Sequence, residues 1–344
     1  MKLIDLEAHF YTEEYNRYFR QRKEYPILET VEDDRHEQID RIWYSPDLFR
    51  AKPSKMSERL LDLEEIRLRE MDAAGIDIQI LSLNDPACEL FEPSDATALA
   101  RQTNDELAAV IQKHPRRFIG LAALALQSPD EASHELERTV NNLGFRGTKI
   151  SSNIGGDYLD NQKFWPIFES AEKLSVPVCI HPTTPPPSVI KPYLDYGGVL
   201  SGPSLGYGAD TALCVMRLIC SGVFDRYPGL QIVLGHLGEA LPFWMERLNL
   251  GWLEQITFGE NRPKCEKLPT DYLKSNFIIN NSGLFSEPAF LCAYLALGAD
   301  RMTFAVDYPW GDNKQAAEFI KQMPICDGDK EKICYLNAER IFNL

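Results

Sequence analysis

The chain has eight cysteines and no C-x-x-C pair among them, so neither a thiolate metal cluster nor a disulfide framework is expected. Most fall inside apolar patterns, where a thiol behaves as a small hydrophobe. Positive charge is also short: 36 Lys+Arg stand against 51 Asp+Glu, for a net charge of −15, with no basic run. That argues against nucleic acid or an anionic membrane surface as a partner. No apolar run approaches the roughly 20 residues of a membrane span, and no N-terminal apolar stretch leads to a small-residue cleavage site. A cytoplasmic protein with reduced thiols is expected. No Gly-x-Gly-x-x-Gly follows the first strand, which argues against a dinucleotide site.

What is present is alternation. Short apolar runs, which read as strands, begin at Leu3–Glu7 and recur at Ile76–Leu83, Phe118–Ala123, Phe145–Ile150, Val176–His181, Leu230–Gly235, Asn276–Asn280 and Met302–Val306. Helical patterns follow them, at Glu58–Ala74, Asp95–His114, Pro129–Asn142, Asn161–Leu174, Ala209–Phe224, Gly238–Gln255 and Ser286–Leu297, then near Asn313–Met323 and Asp327–Phe342. Near-continuous apolar strands alternating with helices imply a parallel sheet buried on both faces. Eight such units predict an α/β fold, a (β/α)8 TIM barrel, forming one domain over residues 1–344. Two long loops interrupt the pattern, Phe10–Ser57 and the Pro/Gly-rich Pro182–Gly208. Both follow strand ends and are expected as insertions over the C-terminal face of the barrel, where chemistry gathers.

Histidine is scarce, and its placement is informative. Of six, three (His9, His181 and His236) sit at strand ends, beside Glu7, Lys149, Asn281 and Asp307. Glu7 and His9 are two apart on the first strand and point the same way, close enough to begin a divalent-metal site. Each residue also has a plainer reading. Glu-x-His often starts a solvated loop, His181 before Pro182 is a plausible strand cap, Asp307 suits a turn before Tyr308-Pro309, and Lys149, a candidate for substrate binding or for bridging metals, also reads as an ordinary strand-end lysine. His236 in Gly235-His236-Leu237-Gly238-Glu239 suits a helix-start hydrogen bond, or an imidazole oriented by Glu239. Their joint location favours a metal site.

The Glu-x-His of strand one, His181, the run Ser221-Gly222-Val223-Phe224-Asp225-Arg226-Tyr227-Pro228, Gly235-His236-Leu237-Gly238-Glu239 and Asp307-Tyr308-Pro309 together resemble the amidohydrolase superfamily. More narrowly they are similar to its metal-dependent decarboxylase branch, the γ-resorcylate, 2,3-dihydroxybenzoate and aminocarboxymuconate semialdehyde decarboxylases. The resemblance spans residue 3 to the end. It implies Glu7, His9, His181 and Asp307 as metal ligands, and His236 with Glu239 as a catalytic pair beside them. Asp307 would be the proton donor as well as a ligand. Hydrolytic relatives more often open with His-x-His and bridge two metals through a carboxylated strand-four lysine. Glu7 at the first position favours one metal, although Lys149 keeps the binuclear arrangement open.

The implied chemistry is non-oxidative decarboxylation of an ortho-hydroxylated aromatic acid of the salicylate or dihydroxybenzoate type, helped by one divalent ion (Mn2+, Zn2+ or Mg2+). The alternative is metal-dependent hydrolysis of an amide, lactone or C–C bond, which uses the same ligands. A non-catalytic scaffold would be expected to have lost a ligand, and none is missing. Phe10, Tyr11, Tyr15, Tyr18 or Phe19 in the first long loop are candidates to pack the substrate ring. Arg247 lies eleven residues past His236, about three helical turns away. It reads as a surface arginine paired with Glu246 or Glu254. In the resembling decarboxylases an arginine at this spacing reaches a neighbouring subunit's site, so the resemblance implies a homodimer or a tetramer of dimers.

Overall fold

Eight parallel strands ring the centre of the computed structural model, which describes residues 1–260 and 262–344. In chain order the strands are β1 (Ile4–Phe10), β2 (Ile27–Glu32), β3 (Gln38–Ser45), β4 (Leu48–Pro53), β5 (Ile78–Leu83), β6 (Phe118–Gly120), β7 (Thr148–Ser151), β8 (Asn153–Ile154), β9 (Asp157–Tyr158), β10 (Val178–His181), β11 (Ile232–Leu234), β12 (Phe277–Asn280) and β13 (Met302–Thr303). The ring runs β1-β5-β6 and then β7-β10-β11-β12-β13. Its two runs meet through single parallel bridges at Ala122–Thr148 and Ala8–Tyr308. Helices follow the ring strands, giving the expected (β/α)8 barrel.

The core has two shells. Ile4, Leu6, Ile80, Leu121, Cys179, Val233, Ile278 and Ala305 fill the barrel interior, while a larger apolar shell packs between strands and helices. β1 is not a simple period-two strand. Its pairing with β5 slips between Asp5 and Ala8, so Asp5 faces Gln79 while Ala8 faces Leu81. The extra residue is a β-bulge that re-aims the strand. Because of it Leu6 and Glu7, neighbours in sequence, both face inward, the first into the apolar floor and the second into the cavity above. Asp5 clamps the bulge, accepting from the Glu7 and Val306 amides and from Gln79 Nε2. Burial pushes its carboxyl up to about 7.

Several expected boundaries move. Glu58–Ala74 is two helices, Ser54–Leu61 and Glu65–Ala74, because the Asp62 carboxylate accepts from the Glu64 and Ile66 amides and starts a second helix there. Most ring strands are two or three residues shorter than their apolar runs. The first long loop is folded: a helix, Glu13–Gln21, precedes an antiparallel sheet ordered β2-β3-β4. Pro182–Gly208 likewise contains helices at Pro187–Leu194 and Gly198–Ser201. Among the described residues no helix is long and apolar enough to cross a membrane.

Candidate metal centre and active site

The strand ends converge as the spacing predicted. Glu7 and His9 from β1, His181 from β10 and Asp307 beyond β13 place one ligand atom each within 4.8 Å of one another. His9 Nε2 lies 3.2 Å from Asp307 Oδ1 and 3.9 Å from Glu7 Oε1, and His181 Nε2 lies 3.6 Å from Glu7 Oε1. Both rings are oriented from behind. His9 Nδ1 contacts Ser82 Oγ at 3.1 Å, and His181 Nδ1 contacts the Pro182 carbonyl at 2.8 Å and Asp85 Oδ2 at 3.2 Å. Protons held at Nδ1 leave both Nε2 lone pairs aimed at the common point. Glu7 Oε1 is buried without a hydrogen-bond partner among the described residues, an orphaned acceptor that a cation would satisfy. Two imidazoles and two carboxylates, one of them with that orphaned oxygen, fit a single divalent ion. Burial, with His181 and Lys149, holds His9 well below its ordinary value, in the neutral form a ligand requires.

The backbone is bent to present these groups. Asp307 sits at φ +70°, and His236, Leu237, Glu239 and Ala240 all have positive φ. Non-glycine residues there cost about 1 kcal/mol or more each and persist where the surroundings over-determine them. Two glycines are sterically required. A Cβ at Gly235 would lie 2.9 Å from Glu7 Oε2, and one at Gly283, itself at φ +62°, would lie 3.0 Å from Asp307 Oδ2. The strained turn brings His236 Nδ1 to 2.8 Å from Glu239 Oε1. Burial opposes charge on His236, but Glu239, with Glu7 and Asp307 behind it, outweighs burial and holds the ring up at about 10. Burial raises the Asp307 carboxyl to about 6, against the pull of His236, His181 and Lys149. The site thus pairs a carboxyl able to hold a proton with an imidazolium fixed by its own carboxylate.

Above the ligands opens a cavity of about 690 Å³, with Asp85, His181, His236 and Asp307 in its floor. The sheet of the first insertion roofs it through Ile42, Tyr44, Leu48, Arg50 and Lys52, and the second insertion adds Pro182, Val199, Pro203 and Tyr207. Both insertions lie over the site as expected. The aromatic residues first considered for the ring do not line this cavity. Phe10 is fully buried in the outer shell, because its side chain alternates with His9 and points away from the barrel axis. Tyr11, Tyr15 and Phe19 are buried together with Phe91 beneath the insertion, and Tyr18 bonds Asp95. Tyr44, Tyr207 and Trp310 are the aromatic walls.

Lys149 is likewise not in the cavity. It is buried below, its Nζ 2.6 Å from Asp85 Oδ1. Burial disfavours its charge, but Asp85 and Glu89 outweigh that and raise it. Carboxylation needs a neutral amine, so this ion pair works against a bridged second metal. Asp85 was missed, although the rule that found Asp307 applies to it: it follows the end of β5 and precedes a proline. Lys149 and His181 hold its carboxyl well below the usual range despite burial. Arg247 is exposed on the helix Leu241–Phe258, away from this cavity. It lines a separate groove of about 660 Å³ with Arg217, Arg262 and Lys264.

The amidohydrolase family model matches residues 4–344. The chain belongs to the amidohydrolase family. Within it the similarity lies with the decarboxylases. The γ-resorcylate decarboxylase of Polaromonas sp. (strain JS666) is 38% identical over 299 residues, covering 84% of this chain and 90% of that protein. A solved dihydroxybenzoic acid decarboxylase from Polaromonas sp. JS666, with bound manganese and the inhibitor 2-nitroresorcinol, superposes with a TM-score of 0.83 at 34% identity, covering 100% of this chain and 97% of that one. The 5-carboxyvanillate decarboxylase of Sphingomonas paucimobilis gives 0.88 at 33%, covering 100% and 99%. This amidohydrolase therefore falls in the metal-dependent decarboxylase branch, and the cluster of Glu7, His9, His181 and Asp307 is a ligand set that can hold a metal ion.

Proposed function

We infer that this amidohydrolase takes a small aromatic acid with a hydroxyl ortho to the carboxylate and acts on it in the cytoplasm. The enzyme is a carboxy-lyase that releases CO2 without oxidation. The observation that carries the substrate reading is the floor of the cavity, where the four-residue cluster that includes Asp307 lies beside a carboxylate-held imidazole, His236, under aromatic walls. Glu7, His9, His181 and Asp307 would hold a divalent ion, which would supply Lewis acidity for the charge that develops on the substrate. Asp307 then gives its proton to the ring carbon that bears the carboxylate. The C–C bond breaks, its electron pair restores the aromatic ring, and CO2 departs. His236, fixed by Glu239, orients the phenolate and returns a proton to Asp307. The walls keep the ring in register and exclude water.

Hydrolysis uses the same ligands, so isotopes separate the two. With manganese-loaded protein and a panel of salicylate-type acids in deuterated water, deuterium is expected on the carbon that lost CO2. Product oxygen drawn from 18O-labelled water would overturn decarboxylation.

A homodimer, or a tetramer of dimers, with Arg247 serving the partner's cavity, is the assembly this reading favours. Phe243, Leu250 and Phe258 beside Arg247 are exposed apolar side chains, as a buried contact requires. Arg247→Ala is expected to raise KM or lower kcat with metal content unchanged. Mixing it with a His181→Ala chain, under conditions of subunit exchange, is expected to restore part of the activity. A mixture that stays inactive despite proven exchange places Arg247 outside the partner's site.

A further inference from the structure

Away from the cavity, two of the eight cysteines meet. Cys220 lies at the end of the helix Gly206–Ser221, and Cys265 lies in the connection between the helices Leu241–Phe258 and Pro269–Ser275. That connection is fastened on both sides of Cys265 to the segment that begins at Cys220. The Lys264 amide donates to the Cys220 carbonyl at 2.8 Å, and the Glu266 amide donates to Asp225 Oδ2 at 3.1 Å. Both thiols are free, and they stand in hydrogen-bonding contact with each other. Trp252, on the helix Leu241–Phe258, donates its indole N–H to Cys265 Sγ at 3.1 Å. Cys220 and Lys264 line the groove of about 660 Å³, and Cys265 is 5% exposed.

A thiol reacts as its thiolate, and donors aimed at the sulfur stabilise that form. The contact with Cys220, helped by the Trp252 indole, brings Cys265 down to about 7 against burial and the Asp225 carboxylate. The same contact, together with burial, pushes Cys220 up. One sulfur of the pair is therefore a nucleophile and the other keeps its proton. Elsewhere burial pushes the thiols of Cys88, Cys179 and Cys214 up, as suits small hydrophobes of the core. The pair at the groove is built differently. Because its two chain segments are already bonded to each other, the sulfurs can join without moving the backbone far. A nucleophilic thiol poised beside a resolving one is the arrangement that redox-sensing cysteines use.

We propose that Cys220 and Cys265 form a reversible redox site, which closes to a disulfide when a hydroperoxide enters the groove. The Cys265 thiolate attacks one peroxide oxygen, so that an S–O bond forms, the O–O bond breaks and the leaving oxygen takes a proton. The Cys220 sulfur then attacks the Cys265 sulfur. The S–S bond forms, the S–O bond breaks, and the hydroxyl leaves as water with the Cys220 proton. Two thiols lose two electrons and the peroxide gains them. This site stands independently of the decarboxylase reading. The test treats the full-length protein with hydrogen peroxide at about pH 7, blocks the remaining thiols with N-ethylmaleimide and maps the peptides without reduction. A linked Cys220–Cys265 peptide is expected, reversed by dithiothreitol. It should form roughly 10-fold faster than the exposed Cys326 is oxidised, the advantage in thiolate fraction that a thiol at about 7 has over an ordinary one. Cys220→Ser should strand Cys265 as a sulfenic acid that dimedone captures. Trp252→Phe should slow closure several-fold at about pH 7 but not at about pH 10, where the thiol ionises unaided. A wild-type map with Cys220 and Cys265 still free, or oxidation that reaches Cys326 first, overturns the proposal.

Discussion

Asp307→Asn is expected to lower kcat about 10³-fold or more, the middle of the range that a positioned acid contributes, while the chain stays folded. Asparagine is the informative replacement because it tolerates the positive φ that Asp307 adopts and keeps the shape of the side chain next to Gly283. It removes the proton and one charged ligand together, so metal content must be measured beside the rate. His181→Ala provides the contrast. It deletes a ligand and leaves the acid, so elemental analysis should find the metal depleted and activity lost with it. If Asp307→Asn retains its metal and still turns over at near the wild-type rate, the proton comes from elsewhere and the mechanism fails. If it loses both, adding excess manganese should restore occupancy but not rate.

Arg67→Met should cost about 3 kcal/mol or more of stability, read as a lower urea midpoint at an unchanged slope. Arg67 has no exposed surface. Its guanidinium donates to the Asp62, Arg59 and His9 carbonyls and to Gln79 Oε1, and lies over the Tyr308 ring at 4.5 Å. Methionine fills much of the volume but leaves several buried acceptors unpaired, each carrying its own desolvation cost. The bond to the His9 carbonyl, 2.6 Å long, ties this helix to the strand that bears two ligands. Metal affinity is therefore expected to fall along with stability. A midpoint within experimental error of wild type would show that those carbonyls find other donors.

The barrel and the convergence of Glu7, His9, His181 and Asp307 were readable because each rests on a local rule. A buried parallel strand writes an apolar run, and a ligand at its end writes a lone polar residue where the run stops. Asp85 obeys the same rule and went unread because attention fell on histidines. The roof was hidden for a different reason. β2, β3 and β4 mix charged and apolar residues on both faces, with Asp40 and Lys52 buried and Phe49 exposed, so their alternation is diluted and the stretch resembles a polar loop. Phe10 shows the limit of adjacency: one position from His9, it faces the opposite side of the strand. Arg67 left no signal in composition or periodicity, because its importance comes from carbonyls and a ring distant in sequence.

The antiparallel sheet that roofs the cavity has a consequence for how such an enzyme changes its diet. It is one uninterrupted stretch of chain, from Ile27 to Pro53, placed between the helices Glu13–Gln21 and Ser54–Leu61, and it contains none of the four clustered residues. The roof of the cavity and the ligand cluster therefore lie on separate pieces of the polypeptide. Exchanging this stretch between homologues would re-tune which acid is admitted while leaving the reacting centre untouched. Divergence toward new aromatic acids can then proceed by swapping a lid, without rebuilding the hearth beneath it.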